Sequence, residues 1–214
     1  MEDGVQHGNA VVATGKTIID LPDHISVREW RHTDAASAAR HGNNIKIWNN
    51  LRNRMPHPYL EENAAGWINF CSDITNHRHT GTWTQETGGQ GPAVSTGYTI
   101  AVNDEAVGSI GLNFADEKDV YLHQAELGYW LSEEHWGKGV MSKVVPAFVN
   151  WAFKTFRILL RINGATHEKN LASAKLLQKA GFQFEGRRPD FITKNGVTAA
   201  ELMWGVLRPK EGDE

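Results

Sequence analysis

A chain of 214 residues, 40% hydrophobic and 22% charged, carries enough apolar material for one packed domain without disulfide support. Its net charge of −3, with lysine and arginine scattered and no like-charge run, argues against a general nucleic-acid or anionic-membrane binder. A single cysteine, Cys71, a polar start without a signal-peptide core and no apolar stretch near the roughly 18 residues of a membrane span all point to the cytoplasm.

Residues 1–21 are Gly-rich and weakly patterned, and read as a flexible N-terminal arm. They contain a P-loop-like string, Ala10 to Thr17. A true P-loop needs a buried strand before it and a helix after it. Here a polar tail precedes the string, and Pro22 opposes a following helix, so the match is set aside. Residues 22–210 read as one domain. Ile25 to Trp30 alternates like a strand. Thr33-Asp34 is placed to cap a helix through Ala39, and a short helical stretch covers Ile45 to Leu51. Ala64, Trp67, Ile68 and Cys71 mark one face of an amphipathic helix. Trp48 and Trp67 read as core residues.

Residues 76–92 are rich in Thr, Gly and His and read as a loop. His77-Arg78-His79 offers two imidazoles with no further ligand in local view, so no metal is expected. Three strand-like runs follow: Tyr98 to Val102, Ala106 to Asn113, and Ala125 to Leu131. His135 to Gly139 leads into a helix whose apolar stripe is Val144, Val145, Phe148, Val149, Ala152 and Phe153. Ile158 to Ala165 is a strand, and Leu171 to Ala180 a helix closed by Gly181. Two final strands, Phe182 to Arg187 and Ala199 to Leu207, are joined through Asn195-Gly196, a strong turn signal. This order predicts an α/β (α+β) domain with a mixed sheet.

The most informative segment is Glu126 to Ser142, a strand, then Gly-x-Gly, then a helix. Two glycines let several backbone N–H groups face one concavity. The helix behind adds unpaired N–H groups and a partial positive charge. Together they suit a pyrophosphate, with Lys138 adding charge at the rim. The same pattern also serves as a plain strand-to-helix turn.

From these residues the chain resembles the GNAT acetyltransferase superfamily, and within it the ribosomal-protein N-terminal acetyltransferases. Glu126-Leu-Gly-Tyr-Trp-Leu131 is similar to the family's fourth strand, and Trp136-Gly-Lys-Gly-Val-Met141 to its pyrophosphate loop. Asn170-x-x-Ser173 is similar to the start of the next helix, and Lys179-Ala-Gly-Phe182 to that helix's end. The resemblance implies a mixed, mostly antiparallel sheet of about seven strands flanked by helices and splayed between the fourth and fifth strands. It implies acetyl-CoA as acyl donor and direct transfer to a primary amine, on a protein N-terminus or a small molecule, in a monomer or homodimer. A non-catalytic acyl-CoA sensor or scaffold is the alternative.

The resemblance implies pantetheine contacts from the backbone of Trp130, Leu131 and Ser132, with the oxyanion donor a backbone N–H near Trp130 or Leu131. It implies pyrophosphate contacts from Trp136, Gly137, Lys138, Gly139, Val140, Met141 and Ser142. Asn170 either approaches the pantetheine or caps its helix. Glu126 is the general-base candidate, acting through water; otherwise it is a surface carboxylate or a buried salt-bridge partner. Many members place a tyrosine acid seven residues after the asparagine; here Leu177 stands there. That leaves Ser173 as the thiolate-side donor, unless its hydroxyl bonds back to the backbone or water protonates the thiolate. Asn49, Arg52, Asn53, Tyr59 and Asp190 are the acceptor-pocket candidates.

Overall fold

The structure, a computed structural model, describes residues 14–84, 86–116 and 119–210. Eight strands form one sheet: β1 (Thr17–Leu21), β2 (Ile25–Arg28), β3 (Gly97–Val102), β4 (Glu105–Phe114), β5 (Gln124–Leu131), β6 (Arg161–His167), β7 (Gln183–Lys194) and β8 (Val197–Leu207). Their order is β1-β2-β3-β4-β5-β6-β8-β7. Every pair is antiparallel except β5–β6, which is parallel. No helix among the described residues is long and apolar enough to cross a membrane.

The eighth strand corrects the expectation of an arm reaching Leu21. Thr17–Leu21 pairs with β2, and Ile18, Ile19 and Leu21 pack on the core. Their apolar side chains gain more from that contact than from a free arm. A strand, not a helix, therefore follows the P-loop-like string; the rest of the expected arm, residues 1–13, lies outside the described residues.

Two helical layers sandwich the sheet. On one face lie α4 (Val140–Thr155) and α5 (Leu171–Lys179). The expected α4 stripe is buried there with Ile100, Ile110, Leu127 and Phe182. On the other lie α1 (Ala35–Gly42), the single-turn α2 (Ile45–Trp48) and α3 (Glu61–Ser72). Ala64, Ile68 and Cys71 of α3 join Trp30, Ala38 and Tyr59 in a second cluster. The loop at residues 76–92 carries two minimal ribbons, one extending to Val94: Arg78–His79 with Ala93–Val94, and Trp83–Thr84 with Gly88–Gly89. The strand β6 begins three residues later than its apolar run, because the segment between α4 and β6 is taken up by a turn that buries Phe156 and Leu159. Asn195 and Gly196, at φ 52° and 74°, make the β7–β8 turn.

Asp34 does not cap α1 with its side chain. It is turned away by a stronger partner: Arg28, 1% exposed, donates from both terminal nitrogens to the Asp34 carboxylate, at 2.7 and 2.9 Å. The Asp34 carboxylate also accepts from Arg31 N–H at 2.8 Å. This fork ties β2 to the start of α1. Asp34→Ala strands the buried guanidinium with only the exposed Asp104 carboxylate, 3.4 Å away, as a charge partner. The expected loss, read from urea unfolding midpoints, is near the low end of about 3–5 kcal/mol.

Candidate active site

The site is a gap in the sheet. β5 and β6 pair only through Gln124–Glu126 and Arg161–Asn163. Beyond that point β5 bonds only to β4 and β6 only to β8, so the two inner edges separate. A groove of about 1660 Å³ runs through the gap. It is lined by Glu126 to Leu131 on one wall, Ala165 to His167 on the other, and Trp136, Gly137 and Gly139 to Ser142 at one end.

At that end Gly137 and Gly139 hold φ of 73° and 77°, conformations that disfavour any residue with a Cβ. Gly139 is the N-cap of α4. The first N–H groups of α4 therefore open toward the groove, as the sequence pattern requires for an anion. Lys138 is exposed at the rim and does not line the groove.

Strand alternation sorts the backbone. Ser132 N–H donates to Val107 C=O, so in the antiparallel ladder Trp130 also bonds toward β4, while Leu131 and Tyr129 aim their N–H groups at the gap. Two residues expected to contact pantetheine have these backbone groups committed elsewhere. The Trp130 backbone faces β4, and Ser132 has its N–H in the ladder and its hydroxyl, 3% exposed, 2.9 Å from His41 Nδ1. His41 Nε2 lies 3.2 Å from Glu105, and burial lowers its pKa. These groups pin α1 to the end of β5. The Leu131 carbonyl accepts from Trp136 Nε1 at 2.8 Å, which sets the indole.

On the α4–α5 side of the gap, Asn170 caps α5: its Oδ1 accepts from Ser173 N–H at 3.2 Å. It also lines the groove. Leu177 is 1% exposed, and the Gly164 Cα beside it leaves no room for a Cβ. The position of the expected family tyrosine is thus core. A phenol is nevertheless present. Tyr129, on β5, brings its hydroxyl to 2.6 Å from Ser173 Oγ. Burial pushes that phenol up to about 12.

The opposite side of the gap carries the charge. Glu126 aligns with Asn163, and His167 with Glu201 of β8. By the two-residue period of β6, Glu126, His167 and Glu201 share one face. Arg52 donates to Glu126 Oε1 at 2.5 Å, so Glu126 is a salt-bridge partner within the groove. Glu201 is 7% exposed, with Arg188 at 3.7 Å. Burial raises its pKa, with Arg52 and Arg188 opposing. Burial, then Lys194, lowers the pKa of His167, so its ring is neutral near pH 7. Tyr129, Glu201 and His167 are additions that sequence reasoning missed.

The acceptor-pocket candidates divide. Arg52 and Tyr59 line the groove. Asn49 and Asn53 instead hold the tip of the last hairpin: Asn195 Nδ2 donates to Asn49 Oδ1 at 3.0 Å, and Lys194 Nζ to Asn53 Oδ1 at 2.8 Å. Lys194 also sits 3.5 Å from the centre of the Trp48 ring, so Trp48 is a docking platform and not core. Asp190, at φ 51° in a bulge of β7, is exposed and outside the groove. Trp67 is half-buried; it stacks on Phe70 and lines the groove.

A mixed sheet opened between two parallel strands, with a glycine loop and helix N-terminus at one end of the opening, is a GNAT architecture. The chain belongs to that family: residues 24–183 match the acetyltransferase (GNAT) domain. It is 31% identical over 119 residues to the uncharacterized N-acetyltransferase p20 of Bacillus licheniformis. That stretch covers 56% of this chain and 65% of the relative, less than two thirds of the relative's length. The fold is shared with the ribosomal-protein-S5-alanine acetyltransferase of Vibrio fischeri (TM-score 0.69, 20% identity, 89% and 96% of the two chains). It is shared also with RimL, a ribosomal L7/L12 alpha-N-protein acetyltransferase solved with coenzyme A (TM-score 0.68, 18% identity, 90% and 98%).

Gly139→Glu adds a carboxylate beside the first N–H groups of α4, in open space but at a φ of 77° that strains any side chain. Calorimetric titration with CoA is expected to show at least a tenfold loss of affinity. Equal affinity would move the site elsewhere.

Proposed function

We propose that the protein is an acetyl-CoA-dependent N-acetyltransferase that acts on a primary amine by direct attack in a ternary complex. The observation that carries this reading is the joining of the glycine loop to the gap in one groove. CoA would lie with its pyrophosphate on the N–H groups of residues 137–142 and its pantetheine arm between β5 and β6. The edges of those strands offer the hydrogen-bonding groups an extended, amide-bearing chain requires. Leu131 or Tyr129 N–H is then the oxyanion donor.

The amine enters from the face that carries Glu126 and Glu201. An ammonium must lose a proton before it can attack, and a base works best with its pKa near the working pH. Glu201, raised by burial, is closer to that condition than an ordinary carboxylate. We assign Glu201 as proton acceptor. Glu126, paired with Arg52, acts beside it through water. Holding both substrates in one groove contributes on the order of 7–11 kcal/mol. RimL and the Vibrio fischeri enzyme acetylate ribosomal proteins by name; a protein N-terminus is accordingly one acceptor to test, beside small amines.

Thiol release from acetyl-CoA is the test, with pooled primary amines and short peptides as acceptors. Release that depends on one pool supports the reading; acetyl-CoA binding without release in any pool overturns it. Glu201→Gln is expected to lower turnover by about 100-fold with acetyl-CoA affinity unchanged. Wild-type activity should fall as pH drops through the raised Glu201 pKa, and the variant should lose that limb. The sign for stability is opposite. Above its raised pKa, Glu201 is a desolvated charge that penalises the fold, so Glu201→Gln should melt no lower than wild type at neutral pH. A lower melting temperature would assign Glu201 a structural role.

A further inference from the structure

We infer that Tyr129 is a positioning residue that turns the Ser173 hydroxyl toward the sulfur of the acyl donor. The inference rests on the donor reading above. Tyr129 and Ser173 both line the groove, and their oxygens are 2.6 Å apart. They come from β5, one wall of the gap, and from α5, which packs on the α4 face of the sheet.

The direction of this bond follows from chemistry. A phenol is more acidic than an aliphatic hydroxyl, so Tyr129 O–H donates and Ser173 Oγ accepts. Ser173 is the third residue of α5, and its N–H is already given to Asn170 Oδ1. With its oxygen accepting from the phenol, its single hydrogen is left to turn away from Tyr129, toward the groove that Ser173 lines. A hydroxyl that accepts one hydrogen bond is polarised as the donor of the next.

The magnitudes exclude a stronger role. Burial holds the phenol at about 12, well above a thiol at roughly 8.5. Passing the Tyr129 proton through Ser173 to a thiolate would run uphill. The phenol therefore stays protonated throughout. In the step itself the amine nitrogen bonds to the acetyl carbon and the carbon–sulfur bond breaks with its electron pair on sulfur. The amine proton goes to Glu201 and then to water. The thiolate leaves hydrogen-bonded to Ser173 and takes its proton from solvent on release. Leu177 fills the core where a direct phenolic donor would otherwise come from, and the Tyr129–Ser173 pair supplies a donor by another route.

The test reads the sulfur without any acceptor. CoA bound to wild type, Tyr129→Phe and Ser173→Ala is titrated by the ultraviolet absorbance of its thiolate, with desulfo-CoA as the blank. Wild type should titrate the bound thiol at a lower pH than either variant by about one pH unit, a tenfold change in the thiolate-to-thiol ratio. The double variant should move no further than Ser173→Ala alone, because the phenol acts only through the serine. Desulfo-CoA should bind all four proteins equally, which reports intact folding. A Tyr129→Phe titration that coincides with wild type overturns the inference, as does an additive double variant. If Tyr129→Phe does not fold, an unshifted Ser173→Ala overturns it alone. Wild type that binds neither CoA nor desulfo-CoA would sink the donor reading, a result distinct from CoA bound with an unshifted thiol.

Discussion

Three residue pairs join β5 to β6, and the rest of the molecule is arranged around their ending at Glu126 and Asn163. A sheet interrupted in its middle exposes two rows of backbone donors and acceptors that must be satisfied in some other way. The outer ladders stay intact, with β5 held along β4 and β6 held along all seven of its residues by β8. The opening is therefore a rigid feature of the fold. A groove made this way suits an extended ligand with amide groups at intervals, and the glycine loop at its end suits an anion attached to that ligand.

Because the two walls of the gap belong to one sheet, strand alternation assigns chemistry to its two sides. Residues of one parity on β5 face α4 and α5, and there the hydroxyls of Tyr129 and Ser173 meet. The other parity faces α1 to α3, and there Glu126 meets Arg52. Glu201 joins that side through its alignment with His167. A neutral, hydroxyl-lined side and a carboxylate-lined side therefore lie on the two faces of one slot. A one-residue register slip would exchange these two faces.

The ends of the groove are fixed by long-range contacts. His41 pins Ser132 at the end of β5 across 91 positions of sequence. Lys194 of the last hairpin reaches Leu51 C=O, Asn53 and the Trp48 ring. These contacts spend side chains that a sequence reading would assign to ligands. Asn49, Asn53 and Ser132 are polar, near the site and already committed to holding it in shape.

The sequence alone was enough for the features whose cause is local. The glycines at 137 and 139 announce a loop that needs positive φ, Asn195-Gly196 announces a tight hairpin turn, and the apolar spacing in α3 and α4 marks their buried faces. Only the tertiary structure decided what depends on partners far apart in the chain. Thr17–Leu21 reads as an arm until β2 offers it an edge. Asp34 reads as a helix cap until Arg28 takes its carboxylate. Tyr129 and Glu201 read only as residues of two strands until α5 brings Ser173 to the one from 44 positions away and β8 carries the other next to His167. Turns and helix faces follow from the conformational limits of a few adjacent residues. A side chain's ionisation, hydrogen-bond partner and exposure are set by whatever the fold places against it.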